Sequence, residues 1–340
     1  MKMETKILPV TDESVALAKE ILLGGGLVAI PTETVYGLGA NGFDGAAVKK
    51  IYEVKGRPTD NPLIAHVDPG YDLTRLVYIE NDYALKLKEK FTPGPLTMVF
   101  FSKGKICREA VCGGDTLAVR IPSHRGAQKV LAAAGVPIVA PSANISKHVS
   151  PVTAEHVYED LHGRIPLILD GGRCTGGIES TVLDVTGKVP RILREGLITR
   201  EMIASVAGAC EIAQHKPTDK VRSPGVKYGH YMPRCDTARF CAGEEAKAAA
   251  LYDETVKSGG RALILCGEER RGAFAGRDVI SLGIGGEAMA ANLFAALREG
   301  EKRADLIIAV EPEEKNGVYA GVMNRLCKAV KKYGEGGEKH

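Results

Sequence analysis

Short apolar runs recur through the first two hundred residues of this 340-residue chain, separated by helix-period segments or by little more than a turn. Residues 27–30, 63–67, 96–101, 116–121, 137–140, 167–169, 180–185 and 191–193 read as strands, being apolar stretches bounded by turn formers. Helical spacing marks 14–23, where Val15, Leu17, Ala18, Ile21 and Leu22 share a face and Gly24 is the stop. Asp44 is placed to cap a helix running to about Val54, and further helices are expected at 82–90, 125–134, 153–161 and 199–207. The strands at 180–185 and 191–193 leave no room for a helix between them. A purely repeated βαβ arrangement is therefore excluded, and part of the sheet must run antiparallel.

Past residue 211 the pattern lapses into Gln214-His215-Lys216-Pro217 and then Ser223-Pro224-Gly225-Val226-Lys227-Tyr228-Gly229-His230-Tyr231. Proline, glycine and charge mark a connector, although its second half is too aromatic for a plain spacer. A cleaner alternation follows, with strands at 238–241, 262–266, 279–282 and 306–310 and helices at 244–257, 287–298 and 318–331. The expected organisation is a larger α/β domain over 1–210, a linker over 211–235 and a smaller α/β domain over 236–340, the last Rossmann-like with a parallel sheet.

A net charge of +3 is too small for nonspecific nucleic-acid binding over the whole surface, so any phosphate site must be local. The apolar run 21–31 is broken by Gly24-Gly25-Gly26 and is too short to span a bilayer, and the first residues lack the apolar core of a signal peptide. The eight cysteines form no C-x-x-C pair, which favours reduced, mostly buried thiols. A cytoplasmic protein without a membrane partner is expected.

Chemistry concentrates in two segments, Pro31-Thr32-Glu33-Thr34-Val35-Tyr36-Gly37-Leu38-Gly39 and Lys55-Gly56-Arg57-Pro58-Thr59-Asp60-Asn61-Pro62-Leu63. Hydroxyls and backbone N–H groups at a glycine turn can hold a small polar ligand, and a Lys/Arg pair can hold phosphates. Gly37 to Gly42 formally matches G-x-G-x-x-G, but the first glycine is six residues past Pro31 and Asp60 lies in a proline-bounded loop, so a dinucleotide site is rejected. No G-x-x-x-x-G-K-[ST], G-x-S-x-G or H-E-x-x-H occurs. Without a P-loop or an evident nucleophile, positioning and charge neutralisation remain, as in transfer at phosphorus. The candidate cations are Lys55, Arg57, Arg120 and Arg194. Ser142, Asn144 and Ser150 offer short polar side chains after a strand, and Gly171 to Thr181 is a glycine-rich loop or hairpin.

In order, P-T-E-T-V-Y-G-L-G, K-G-R-P-x-x-N-P-L-I-x-H, P-G-P-L-T, T-L-A-V-R-I-P, A-P-S-A-N, S-P and G-I-E-S-T-V resemble the YrdC-like family. With the S-P-G-x-K-Y-x-H-Y-x-P linker, the chain is similar to the long, two-domain form of that family's L-threonylcarbamoyladenylate synthases. The resemblance implies a twisted, mixed, open sheet in the first domain. It also implies a reaction in which L-threonine, bicarbonate and ATP, with magnesium, yield threonylcarbamoyl-AMP and pyrophosphate. A separate transferase then moves the threonylcarbamoyl group to tRNA.

By motif, Thr34, His66, Arg120, Ala140 and Ser180 resemble the threonine-side contacts. Arg57, Asn61, Thr116, Ser142, Ser150 and Arg194 resemble the ATP-side contacts, with Lys55 and Asn144 along the same groove. Lys55 and Arg57 are the expected catalytic cations, magnesium is expected to arrive on the ATP phosphates with no direct protein ligand, and Tyr231 resembles a tyrosine that folds over the site. Val226 and Met232 depart from the commonest linker pattern, methionine and a small residue respectively. The alternative is a noncatalytic protein that binds tRNA or double-stranded RNA through a basic concave face, which would need none of the threonine-side residues.

Overall fold

The computed structural model describes residues 3–213 and 231–334, which form two compact units. One holds residues 3–146 and 150–213, the other 147–149 and 231–334. Val226, Lys227, Tyr228 and His230, the core of the expected cover, lie outside the described residues. Of the expected linker, Glu211–Ile212 pair in parallel with Arg191–Arg194 and end the first sheet.

The first unit is built on a sheet of twelve described strands. In spatial order it runs Lys6–Pro9, Leu167–Asp170, Val28–Ile30, Gly37–Asn41, Ile138–Ala140, Ile64–His66, Thr116–Arg120, Leu96–Ser102, Thr181–Asp184, Arg191–Arg194 and Glu211–Ile212, with Val77–Tyr78 paired to Leu96–Ser102. Directions are mixed, as the spacing of the strands required: Val28–Ile30 and Gly37–Asn41 are antiparallel, whereas Ile64–His66 and Thr116–Arg120 are parallel.

One expectation changes, and one pair of alternatives is decided. Gly37 to Asn41 is a buried central strand and not a glycine turn. Its glycines make room for larger neighbours: a Cβ on Gly39 would stand 2.7 Å from Ile138 Cγ2. The loop 171–180 is no hairpin, because Leu167–Asp170 and Thr181–Asp184 stand far apart in the sheet. It crosses the unit, and the Gly176 N–H donates to the Glu33 carbonyl at 2.7 Å.

Local signals set the helix ends. Thr11 and Ser14 form a capping box at Asp12–Leu23. Asp44 accepts from the Ala46 and Ala47 N–H groups at the start of Gly45–Lys55, and Gly56 ends that helix in the left-handed region at φ 60°. Helices Asp12–Leu23 and Arg125–Ala134 cover one end of a sheet face, burying Leu22, Val130 and Leu131 against Val28, Ile30, Ile138 and Leu167. Farther along, Ile64, Val99, Ala118 and Val182 form a separate small apolar cluster. Polar side chains gather beside it.

In the second unit Asp236–Phe240, Leu306–Val310, Ala262–Cys266 and Val279–Ser281 lie in that order and all parallel. Helix Glu245–Lys257 places Ala248 and Ala249 against Ile264, Cys266, Ile308 and Val310. Gly300 of helix Gly285–Arg303 meets Leu263 and Ile307, which alternation puts on the opposite face. The sheet is thus covered on both faces, as a parallel sheet requires. The cysteines are less buried than expected: Cys174, Cys210 and Cys266 are buried, Cys327 is exposed, and the other four lie between.

Gly39→Ala should destabilise the first unit by about 1–3 kcal/mol, because Ile138 must shift to admit the methyl group. Urea unfolding checks this, and an unchanged midpoint would contradict the packing account.

Candidate active site

Strand register assembles the site. His66 lies opposite Arg120, and Arg120 lies opposite Thr97 on the next strand. Directly opposed residues share a face, so these three form one polar row. One step along, Ile64, Ala118 and Val99 form an apolar row on the same face. Val182 is opposite Thr97, which places Ser180 on that face too, and the Ser180 hydroxyl is 2.8 Å from the Thr97 hydroxyl. Thr116 shares the parity of Arg120, two residues beyond Ala118. Ala140 lies opposite Ile64.

Arg120 is 4% exposed. Its Nη1 donates to Thr34 Oγ1 at 2.8 Å, and its Nη2 sits 2.7 Å from Glu33 Oε1. The second contact is an ion pair without hydrogen-bond alignment, and neither Glu33 oxygen has an aligned donor. Burial alone would raise the Glu33 carboxyl, but the Arg120 charge and nearby backbone N–H groups outweigh it and hold the group below its ordinary range. His66 shifts down to about 3, mainly through burial and secondly through the Arg120 charge. Its Nδ1 lies 3.0 Å from the Ile64 carbonyl. A carbonyl only accepts, so Nδ1 carries the proton and Nε2 keeps its lone pair.

The ATP-side candidates fall on two loops and a strand end. After the Gly56 turn, Arg57 Nε and Nη2 donate to the Asn61 carbonyl at 3.3 and 3.2 Å, fixing the 57–61 loop on itself. Asn61 is buried, and its Oδ1 has no hydrogen-bond partner. Such an oxygen costs about 1–3 kcal/mol unless something donates to it. On the second loop, Ser142 Oγ donates to Asn144 Oδ1 at 2.5 Å, and Ser150 Oγ donates to Glu179 Oε1 at 2.5 Å. Arg194 donates to the Ser180 carbonyl through Nε and Nη2 at 3.2 and 3.0 Å, which ties it to the threonine-side row.

Lys55 has a different place from the one expected of a cation facing phosphates. At 2% exposure, its ammonium donates to the Ser142 carbonyl at 2.6 Å and to the Asn144 carbonyl, with Asn144 Oδ1 at 3.5 Å. The Ser146 N–H returns a bond to the Lys55 carbonyl at 2.8 Å. Lys55 therefore binds the helix end to the turn that carries Ser142 and Asn144.

The two loops also meet the threonine-side segment. The Tyr36 N–H donates to the Pro151 carbonyl and the Ala143 N–H to the Tyr36 carbonyl, at 2.9 and 2.8 Å. Thr34, His66, Arg120, Ala140, Ser180 and Arg194 are thus joined by register or hydrogen bonds, with Ala143 and Pro151 stitched alongside. Tyr231 belongs to the second unit, buried at φ 68° with its ring centroid 5.1 Å from that of Phe294. Sequence reading missed Glu33 and Thr97 as site residues. Both stand inside quoted motifs, but only the strand register of Thr97 and the ion pair of Glu33 reveal that they flank Arg120.

A mixed sheet with this buried polar row, followed by a small parallel α/β unit, defines a two-domain protein of YrdC-like architecture. A family profile described as "Telomere recombination" (Sua5_yciO_yrdC) matches residues 20–196, and one described as "Threonylcarbamoyl-AMP synthase, C-terminal domain" matches residues 198–330. The threonylcarbamoyl-AMP synthase of Bacillus subtilis is 42% identical over 332 residues, spanning 96% of this chain and 95% of the relative. That of Pyrococcus abyssi is 41% identical, spanning 93% of each. A crystal structure of P. abyssi Sua5 complexed with L-threonine superposes with a TM-score of 0.88 at 38% identity, over 98% of this chain and 99% of that one. The chain belongs to the threonylcarbamoyl-AMP synthase family, which makes it an enzyme of the nucleotidyltransferase kind.

The depressed His66 value has a thermodynamic consequence. Unfolded histidine titrates near 6.5, so between about 6.5 and 3 the unfolded state binds the extra proton. The His66 contribution is complete above about 6.5 and is lost as pH falls, by up to about 1.4 kcal/mol per pH unit. In urea unfolding, the stability gap between wild type and His66→Gln should therefore narrow from pH 7.5 to 4.5. A constant gap would contradict the buried, neutral imidazole.

Proposed function

We propose that the chain condenses L-threonine, bicarbonate and ATP into L-threonylcarbamoyl-AMP and pyrophosphate, supplying the group that a separate transferase places on tRNA. The observation that carries this reading is the buried set of Thr34, Arg120, His66, Thr97 and Ser180 beside the polar groups of two loops. Arg120 offers a planar fork to the amino-acid carboxylate. The neutral His66 lone pair and the Thr97–Ser180 hydroxyl pair are suited to the side-chain hydroxyl. A noncatalytic RNA-binding surface has no use for buried groups of this kind.

In the reaction the threonine amine, once neutral, adds to the bicarbonate carbon with loss of water, giving a carbamate. A carbamate oxygen then attacks the α-phosphorus while the bond to the β-phosphate oxygen breaks and pyrophosphate leaves. Arg57 and Arg194 stabilise the developing charge, and Asn61 Oδ1 accepts a donor from the nucleotide. Ser142, Asn144, Ser150 and Thr116 complete the nucleotide side, and Lys55 contributes by holding the Ser142–Asn144 turn in place. Among the described residues no group of three or more His, Cys, Asp or Glu is placed to hold a metal. Magnesium would come in on the ATP phosphates and supply charge neutralisation there. The proposed setting is the cytoplasm, and no described helix is long and apolar enough to cross a membrane.

Pyrophosphate release from ATP should require L-threonine and bicarbonate together, and release with neither would contradict the proposal. Arg57→Ala should lower the rate on the order of a hundredfold. A near-wild-type rate would remove Arg57 from the charge-stabilising role.

A further inference from the structure

We infer that Glu33 receives the α-ammonium of the amino-acid substrate, so that the Glu33–Arg120 pair is a preformed complement to a zwitterion. The substrate carboxylate takes Arg120 as its ammonium takes Glu33. This rests on the threonine reading of the site and adds to it a recognition residue and a reason why an α-amino acid is preferred to a hydroxy acid.

The argument begins with the geometry of the pair. The Glu33 side chain is 11% exposed, and Arg120 directs its aligned bond to Thr34 and not to the carboxylate 2.7 Å away. A buried ion pair offsets its desolvation only when geometry is good and the remaining lone pairs are satisfied. Here both carboxylate oxygens lack aligned donors, so much of the acceptor capacity of Glu33 is open beyond the Arg120 charge and the nearby backbone N–H groups. An ammonium brings three donors.

The backbone that carries this carboxylate is also held in position. The Glu33 carbonyl accepts from the Gly176 N–H at 2.7 Å, and the next residue's N–H donates to Thr32 Oγ1 at 3.2 Å. Thr32 in turn donates to the Val35 carbonyl at 2.6 Å. The segment carrying Glu33 therefore has little freedom to swing away when a ligand arrives.

Charge balance supplies the selectivity. A zwitterion entering the pair exchanges one set of opposite charges for another and strands none. A ligand with the carboxylate but no ammonium would engage Arg120 and leave the Glu33 carboxylate buried without a cation, a costly state. His66, uncharged on the adjacent strand, does not compete for either partner.

Isothermal titration of the full chain with L-threonine and with 2,3-dihydroxybutanoate tests this. The analogue keeps the carboxylate and the side-chain hydroxyl but carries a hydroxyl in place of the ammonium. Glu33→Gln should weaken L-threonine binding about tenfold or more, the range for a hydrogen bond to a charged group. It should leave the analogue unchanged or bound more tightly. ATP binding serves as the control for folding, and Glu33→Asp, which restores the charge, should recover part of the threonine affinity. Equal losses for both ligands would mean that Glu33 only positions Arg120, and unchanged threonine binding would remove Glu33 from recognition; either overturns the inference. A wild-type chain that binds no threonine would instead overturn the threonine reading, and this inference with it.

Discussion

The placement of Arg120 is the constraint on which the rest of the site depends. A guanidinium at 4% exposure must be compensated, and its surroundings follow from that need. Glu33 supplies the opposing charge, Thr34 the in-line acceptor, and Gly94 a carbonyl 3.4 Å from Nε. The same positive charge, added to burial, keeps His66 neutral on the next strand. One cation thereby fixes the protonation state or orientation of its neighbours, and leaves Glu33 with open hydrogen-bonding capacity. A site arranged in this way is ordered before any ligand arrives, which is what positioning catalysis demands.

The proposed nucleotide side is organised by a different device. Two loops with no regular structure are braced by their own backbone carbonyls. Arg57 folds the 57–61 loop back on itself, and Lys55 ties the 142–144 turn to the end of a helix. The helix Gly45–Lys55 matters for this reason. Its Asp44 cap and Gly56 stop set where Lys55 falls, and Lys55 sets where Ser142 and Asn144 fall. Sequence alone assigns Lys55 to phosphates; the structure shows its ammonium donating to the backbone carbonyls of Ser142 and Asn144. Arg194 joins the two sides through the Ser180 carbonyl.

Much of the fold was legible because apolar period and caps coincide. Asp44, the helix end expected near Val54 and the run 137–140 mark their elements at or within a residue of the observed ends. Strand Gly37–Asn41 was not legible, because glycines there serve the bulk of Ile30 and Ile138 on neighbouring strands, which no local pattern carries. Lys6–Pro9 was missed as a largely exposed edge strand without alternation. Motif order pointed to the polar side chains of the site. Their mutual placement was hidden, since His66, Arg120 and Thr97 become neighbours only through register between strands distant in sequence.

The central claim is that the Arg120 row binds the amino acid while the Asn61 loop binds the nucleotide, as separable halves of one site. Separate calorimetric titrations of Arg120→Lys and Asn61→Leu with L-threonine and with ATP test it most directly. Arg120→Lys should lose threonine affinity and keep ATP, because an ammonium lacks the fork that a carboxylate and Thr34 require. Asn61→Leu should show the reverse. Loss of ATP with threonine retained in Arg120→Lys would contradict the account.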